Sequence, residues 1–100
     1  MSARPTSRRV VEATASIGDQ VVAWRKLLGL TAAQVADRAG ISRGTLARIE
    51  HGDGGASLAA FLSAAHALGQ LDRVVDSVDP YSTDLGRARA DEILPKRVRQ

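Results

Sequence analysis

The sequence predicts an all-α fold of five short helices, and three observations predict it. Apart from three aromatic residues, Trp24, Phe61 and Tyr81, the apolar content is mostly Ala, Leu and Val. Ala and Leu carry the lowest cost in a helix, whereas the strand-favouring aromatics and Thr are scarce. Apolar residues recur at helical spacing from Ile17 to Val78. Gly29, Gly40, Gly52 and Gly69 each follow such a stretch, and Thr31, Ser42 and Ser57 open new ones. Ser or Thr at the start and Gly just past the end are the residues that satisfy the orphan backbone groups of a helix.

Taken in order, residues 1–15 carry Arg4, Arg8 and Arg9 with Pro, Ser and Thr and no apolar period before Val10, which predicts a flexible basic arm that can turn helical near its end. From Ser16, a cap candidate, Ile17, Val21, Trp24 and Leu28 fall on one helical face with Leu27 beside them. Thr31 and Gln34 have the spacing of a capping box, ahead of an inner face of Val35, Ala36 and Ala39. Ser42 opens a third helix with Leu46 and Ile49 inward, which Gly52 ends, and Asp53-Gly54-Gly55 reads as a mobile link. Ser57 opens a fourth with Leu58, Phe61, Leu62, Ala65 and Leu68 on one face. The fifth turns Leu71, Val74, Val75 and Val78 inward and stops at Asp79-Pro80, because a residue before Pro avoids the helical region. A domain over 16–79 is therefore expected, with residues 80–100 as a basic tail that offers few core candidates.

Composition excludes several classes. There is no cysteine, hence no disulfide, thiolate nucleophile or Cys-based zinc site. No apolar run approaches the ~18 residues of a membrane span, and the opening MSARPTSRRVVEA has no apolar signal core, so a cytoplasmic protein is expected. A net charge of +3 suits a polyanionic partner without establishing one. No nucleophile stands with a base and no acid–base couple is present, so neither an enzyme nor a cofactor is expected. His51 and His66 are too far apart in sequence to suggest a metal site. Gly52-Asp53-Gly54-Gly55 is not a phosphate loop, because no Gly-Lys-Ser/Thr follows. Asp72, Asp76 and Asp79 are spaced along a helix face rather than as a catalytic pair. Trp24 and Phe61 are core candidates, and Glu50 is a structural residue suited to pairing with a nearby Arg.

Residues 30–52, LTAAQVADRAGISRGTLARIEHG, meet the requirements of two helices crossing steeply through a short turn. Ala36 is small where the helices approach, Gly40 takes positive φ without steric cost, Ile41 plugs the core, and Leu46 and Ile49 face inward. Arg43, Thr45 and Arg48 leave the opposite face polar. Through Leu30-Thr31, Ala36, Gly40-Ile41-Ser42 and Ile49-Glu50-His51-Gly52, the stretch resembles the Xre/Cro, lambda-repressor-like family over residues 17–78. That resemblance implies a five-helix domain whose third helix enters the major groove of double-stranded DNA. It implies base reading by Ser42, Arg43, Gly44, Thr45 and Arg48. It implies phosphate contacts by Thr31, Ala32 and the backbone of His51 and Gly52. Arg43 is the leading reader, since Arg grips guanine O6 and N7 with two hydrogen bonds; Arg48 reaches a base or a phosphate, and Thr45 a thymine methyl or a phosphate. Ala32 stands where the family often has Gln, and Gly44 where it often has a longer side chain, so readout leans on Arg43, Arg48 and DNA shape.

A homodimer on an inverted-repeat operator is the expected form, with Leu71, Val74, Val75 and Val78 at the interface, since they exceed what one small core needs. For the end of the chain three readings stand: a solubilising tail, a phosphate-tracking arm, or a toxin-binding segment. Asp84-Leu85-Gly86-Arg87-Ala88-Arg89 with Leu94-Pro95-Lys96-Arg97-Val98-Arg99 is similar to HipB-like antitoxins, which implies a HipA-like kinase toxin as partner and repression of its own operon. A stand-alone regulator of the same family, and an adaptor that has lost DNA binding, are the alternatives.

Overall fold

The computed structural model describes residues 5–93. Six α-helices follow one another: α1 Arg8–Leu27, α2 Ala32–Ala39, α3 Arg43–Glu50, α4 Leu58–Ala67, α5 Leu71–Ser77 and, after a 3₁₀ turn at Pro80–Ser82, α6 Asp84–Ile93. Among the described residues there is no strand.

The capping signals act as their residue types require. The Thr31 hydroxyl accepts from the Gln34 N–H at 3.1 Å, and the Gln34 side-chain oxygen accepts from the Thr31 N–H at 2.9 Å, a reciprocal capping box. Ser42 caps α3 and Ser57 caps α4, each accepting at 3.0 Å from the amide three residues on. Gly40 ends α2 at φ 69°, the left-handed conformation in which the Ile41 N–H bonds back to the Ala36 carbonyl at 3.1 Å. With eight residues each, α2 and α3 are too short to be stable alone. They persist because Val35, Ala36, Leu46 and Ile49 are buried together with Val21, Ala64 and Leu68, and Trp24, Leu30, Ile41 and Phe61 pack around this cluster. Within it, α2 lies on α3 and α4, α1 on α3, and α5 on α4.

Several expectations are corrected. The first helix begins at Arg8, not Ser16, so Arg8 and Arg9 are helical rather than part of a flexible arm. Ser7 caps it, accepting from the Val10 N–H at 3.3 Å, and Arg8 pairs with Glu12 one turn on at 3.6 Å. No apolar period marks these turns because no core lies beneath them: Val10 and Val11 are exposed. Ile17 is also exposed and borders two shallow apolar grooves of about 340 and 240 Å³ that meet at Ile17 and Phe61. Leu28 caps the end of α1 and is exposed, as Leu27 is. Leu58, the first residue of α4, points to solvent at 71% exposure, and Ala64 is buried on that helix beside the expected Ala65. On α5 only Leu71 and Val74 are half-buried; Val75 and Val78 are exposed.

The expected tail from residue 80 contains a sixth helix. The Thr83 hydroxyl accepts from the Gly86 N–H at 2.9 Å, Tyr81 donates its hydroxyl to Asp91 at 2.8 Å, and Arg87 donates to the Tyr81 carbonyl at 2.9 Å. Gly86 lies against the Pro80 carbonyl with no room for a Cβ, and Ala90 is buried. Helix α6 thus packs mainly on the 3₁₀ turn before it, an association that core periodicity does not reveal. Arg4 of the expected arm and the Leu94-Pro95-Lys96-Arg97-Val98-Arg99 run lie outside the described residues.

Helix α1 meets the end of α3 backbone to backbone. A Cβ on Gly18 would stand 2.6 Å from the Glu50 carbonyl oxygen and 2.7 Å from that of Ile49, both backbone atoms unable to move independently. Gly18→Ala gains up to about 1 kcal/mol of helix propensity, but overpacking against backbone costs about 1–3 kcal/mol. A net loss of stability is expected, read as a lower urea midpoint at unchanged slope; an equal or higher midpoint would show that the two helices have slack.

Candidate nucleic-acid interface

Helix α3 buries Leu46 and Ile49, and turns Glu50 to α1. There Arg25 grips the Glu50 carboxylate with Nε at 2.7 Å and Nη2 at 3.2 Å, a two-bond pair whose side chains are 19% and 11% exposed. The Glu50 hydrogen bond holds the Arg25 pKa above its ordinary value. With these three residues held inward, a helix of 3.6 residues per turn presents Gly44, Arg48 and His51 on its opposite face, with half-buried Ala47 and then Arg43 toward one flank. Arg43, Gly44, Arg48 and His51 are exposed.

The centre of this face is bare. Gly44 has ordinary helical φ, and the nearest atom to a Cβ placed on it is Ser42 Oγ at 3.9 Å. Nothing inside the protein requires a glycine there. Around the bare centre the polar groups are arranged by bonds within the chain. Ser42 accepts from the Thr45 N–H and donates its own hydroxyl to Thr45 Oγ1 at 2.9 Å, which leaves the Thr45 hydroxyl proton as the pair's outward donor. Half-buried Thr45 thus serves α3's first turn as well as its surface. Thr31, committed as acceptor to the cap of α2, keeps its hydroxyl proton, and the first amide N–H groups of α2, beginning with Ala32, have no acceptor within the helix. Among the described residues Arg43 has no ion-pair partner.

Two expectations about α3's far end are revised. The His51 N–H bonds to the Ala47 carbonyl at 2.9 Å and the Gly52 N–H to the Ile49 carbonyl at 3.0 Å, so these amides, expected to clamp a phosphate, are spent closing the helix. The His51 ring remains: Nδ1 sits 2.6 Å from the Ala47 carbonyl oxygen, which can only accept, so Nδ1 carries a proton and Nε2 is the free edge. The link after Gly52 is not loose. Asp53 Oδ1 accepts from the Gly55 N–H at 2.8 Å, its Oδ2 accepts from Arg48 Nε at 2.8 Å, and its own N–H reaches the Arg48 carbonyl at 2.9 Å. Arg48 and Gly55 together hold the Asp53 carboxyl below its ordinary 3.8. A carboxyl depressed in the folded state contributes stability above its unfolded pKa and loses it as pH falls through the folded value, so the contribution of this carboxylate to the turn is present at neutral pH and lost in acid. Sequence reasoning passed over Asp53, although Asp followed by two glycines is the signature of a turn closed by its own side chain.

Among the described residues no cluster of three or more His, Asp or Glu is placed to hold a metal ion, and no helix is long and apolar enough to cross a membrane. A family model described as helix-turn-helix matches residues 21–73, which spans α2, α3 and α4 with the end of α1 and the start of α5. No curated protein and no solved structure matches the chain.

The helical glycines Gly18 and Gly44 have opposite expectations. Gly44→Ala meets no obstruction and should raise stability by a few tenths to about 1 kcal/mol, seen as a melting temperature higher by several degrees. If the bare centre exists for close approach of a ligand, the same variant binds duplex DNA less tightly; a stabilised variant with full affinity would remove Gly44 from the interface.

Proposed function

The chain belongs to the Xre/lambda-repressor-like helix-turn-helix family, a family of DNA-binding regulators, and on that footing we propose that it is a sequence-specific transcriptional repressor that binds an inverted-repeat operator as a homodimer. The observation that carries this reading is the outward face of α3. It combines a bare centre at Gly44 and Ala47 with exposed Arg43 at one flank and Arg48 at the other. A flat helix face admits the groove floor, and flanking arginines suit guanine edges and phosphates. Thr31, the N-terminal amides at Ala32, the Thr45 hydroxyl and the His51 ring are the candidate phosphate contacts around it.

Exposed Val75 and Val78 beside half-buried Leu71 and Val74 favour α5 as the dimer surface. A two-fold pair would set two α3 helices about 34 Å apart, one turn of B-DNA. Within the same function, one observation favours an antitoxin, a repressor that also binds a HipA-like kinase toxin. Helix α6 packs on its own 3₁₀ turn and leaves Leu85 and Ile93 exposed, an apolar surface available to a second protein. Co-purification of a kinase-like protein with the full chain separates this from a stand-alone regulator. A prokaryotic, cytoplasmic setting accords with either.

The test is selection of duplexes from a random pool by the purified protein, followed by Arg43→Ala. A selected inverted repeat is expected, with the variant losing about tenfold or more in specific affinity and relaxing its preference at one base pair per half-site. Unchanged affinity and preference would exclude Arg43 as a reader, and a pool that yields no enriched sequence would exclude the proposal.

A further inference from the structure

We propose that Asp53 is a positioning residue for DNA recognition: it holds the Arg48 guanidinium by Nε so that the opposite edge, with its paired Nη groups, faces a guanine in the major groove. The inference rests on the DNA-binding reading above and adds a residue that the helix-turn-helix pattern does not contain.

Four features of the turn carry it. The carboxylate cannot follow the arginine, because Oδ1 is tied to the Gly55 N–H and the Asp53 N–H to the Arg48 carbonyl, so Arg48 is held against a fixed point on its own backbone. The bond uses Nε at 2.8 Å and leaves the Nη1/Nη2 edge as a fork of parallel donors, the edge that matches guanine O6 and N7. Gly55 makes room: a Cβ there would stand 3.1 Å from Arg48 Nη2 and 3.1 Å from Asp53 Oδ1. Finally, both side chains are about half exposed, 51% for Arg48 and 44% for Asp53, and an ion pair so open to water adds little to folding. An anchored acceptor, a fixed donor edge and a glycine that clears the space therefore have little return in stability. They do restrict a long, flexible side chain before it meets its target, which lowers the ordering cost at binding.

The arrangement works on discrimination from both sides. A carboxylate beside the duplex repels phosphates whatever the sequence, and so weakens binding to every duplex. The oriented fork recovers binding only where a guanine stands in register. Arg48 is thus assigned to a base rather than to a phosphate, with Asp53 setting its aim.

The experiment uses the full chain and two duplexes of equal length, one selected by the unmodified protein and one of random sequence, at two salt concentrations. Asp53→Asn keeps an oxygen for the Gly55 N–H but removes the anionic acceptor for Arg48; Arg48→Lys keeps the charge and removes the fork. Asp53→Asn is expected to bind the random duplex more tightly while its preference for the selected duplex falls about tenfold. Arg48→Lys is expected to lose a similar preference with random-duplex affinity unchanged, and the double variant to lose no more than either single one. An unchanged preference in Asp53→Asn would reduce Asp53 to a turn-closing residue. Equal losses on both duplexes in Arg48→Lys would assign Arg48 to a phosphate and overturn the proposal. Absence of any preference in the unmodified protein would remove the DNA reading itself, and with it this inference.

Discussion

Backbone-to-backbone contact between α1 and the end of α3 is the constraint on which the rest of the molecule depends. Gly18 lies under the Ile49 and Glu50 carbonyls, and Gly52 lies over Ala15, where a Cβ would stand 2.7 Å from the Ala15 Cα. No side chain separates the two elements at either point. Gly52 also takes φ 75°, so one residue supplies both the left-handed turn that ends α3 and the absence of bulk that lets the turn touch α1. Arg25 then locks the crossing by its two bonds to Glu50, a residue 25 positions away. Close-packed backbones have few alternative arrangements, so this contact fixes how α3 is rolled about its own axis.

That roll decides what α3 can do. With Leu46, Ile49 and Glu50 directed inward, the residues one half-turn away are committed to solvent, and chemistry follows from which residues those are. Gly44 and Ala47 add no bulk, Arg43 is left without an ion-pair partner among the described residues, and Arg48 is taken up by Asp53. The same eight-residue helix therefore serves the core on one side and presents a shallow, cationic surface on the other. Ser42 and Thr31 satisfy orphan amides of α3 and α2, and the hydroxyls of Thr45 and Thr31 keep protons to donate beside that surface.

Legibility in the sequence followed locality. The caps at Thr31, Ser42 and Ser57 and the turn at Gly40 were readable because each depends on residues within four positions of one another. Leu46 and Ile49 were readable because burial imposes a period. The first two turns of α1 were not, since with nothing packed under Val10 and Val11 there is no period to see; capping by Ser7 and the Arg8–Glu12 pair carry them instead. Helix α6 escaped for a related reason, because it packs on three residues of adjacent chain rather than on the core. Leu58 shows the converse error: it has the right spacing but stands at the first position of its helix, ahead of the turn that meets the core. The roles of Gly18 and Asp53 depend on long-range contact or on turn geometry, which residue type alone signals weakly.

On the proposed function, the outward face of α3, with the start of α2 beside it, is the surface that meets DNA. Amide chemical-shift mapping, as the selected duplex is titrated into the labelled full chain, tests it most directly. The largest changes are expected at Thr31, Ala32 and from Arg43 to Arg48, with α4 and α5 responding little. Changes centred on α4 or on the exposed edge of α5, with α3 silent, would contradict the account.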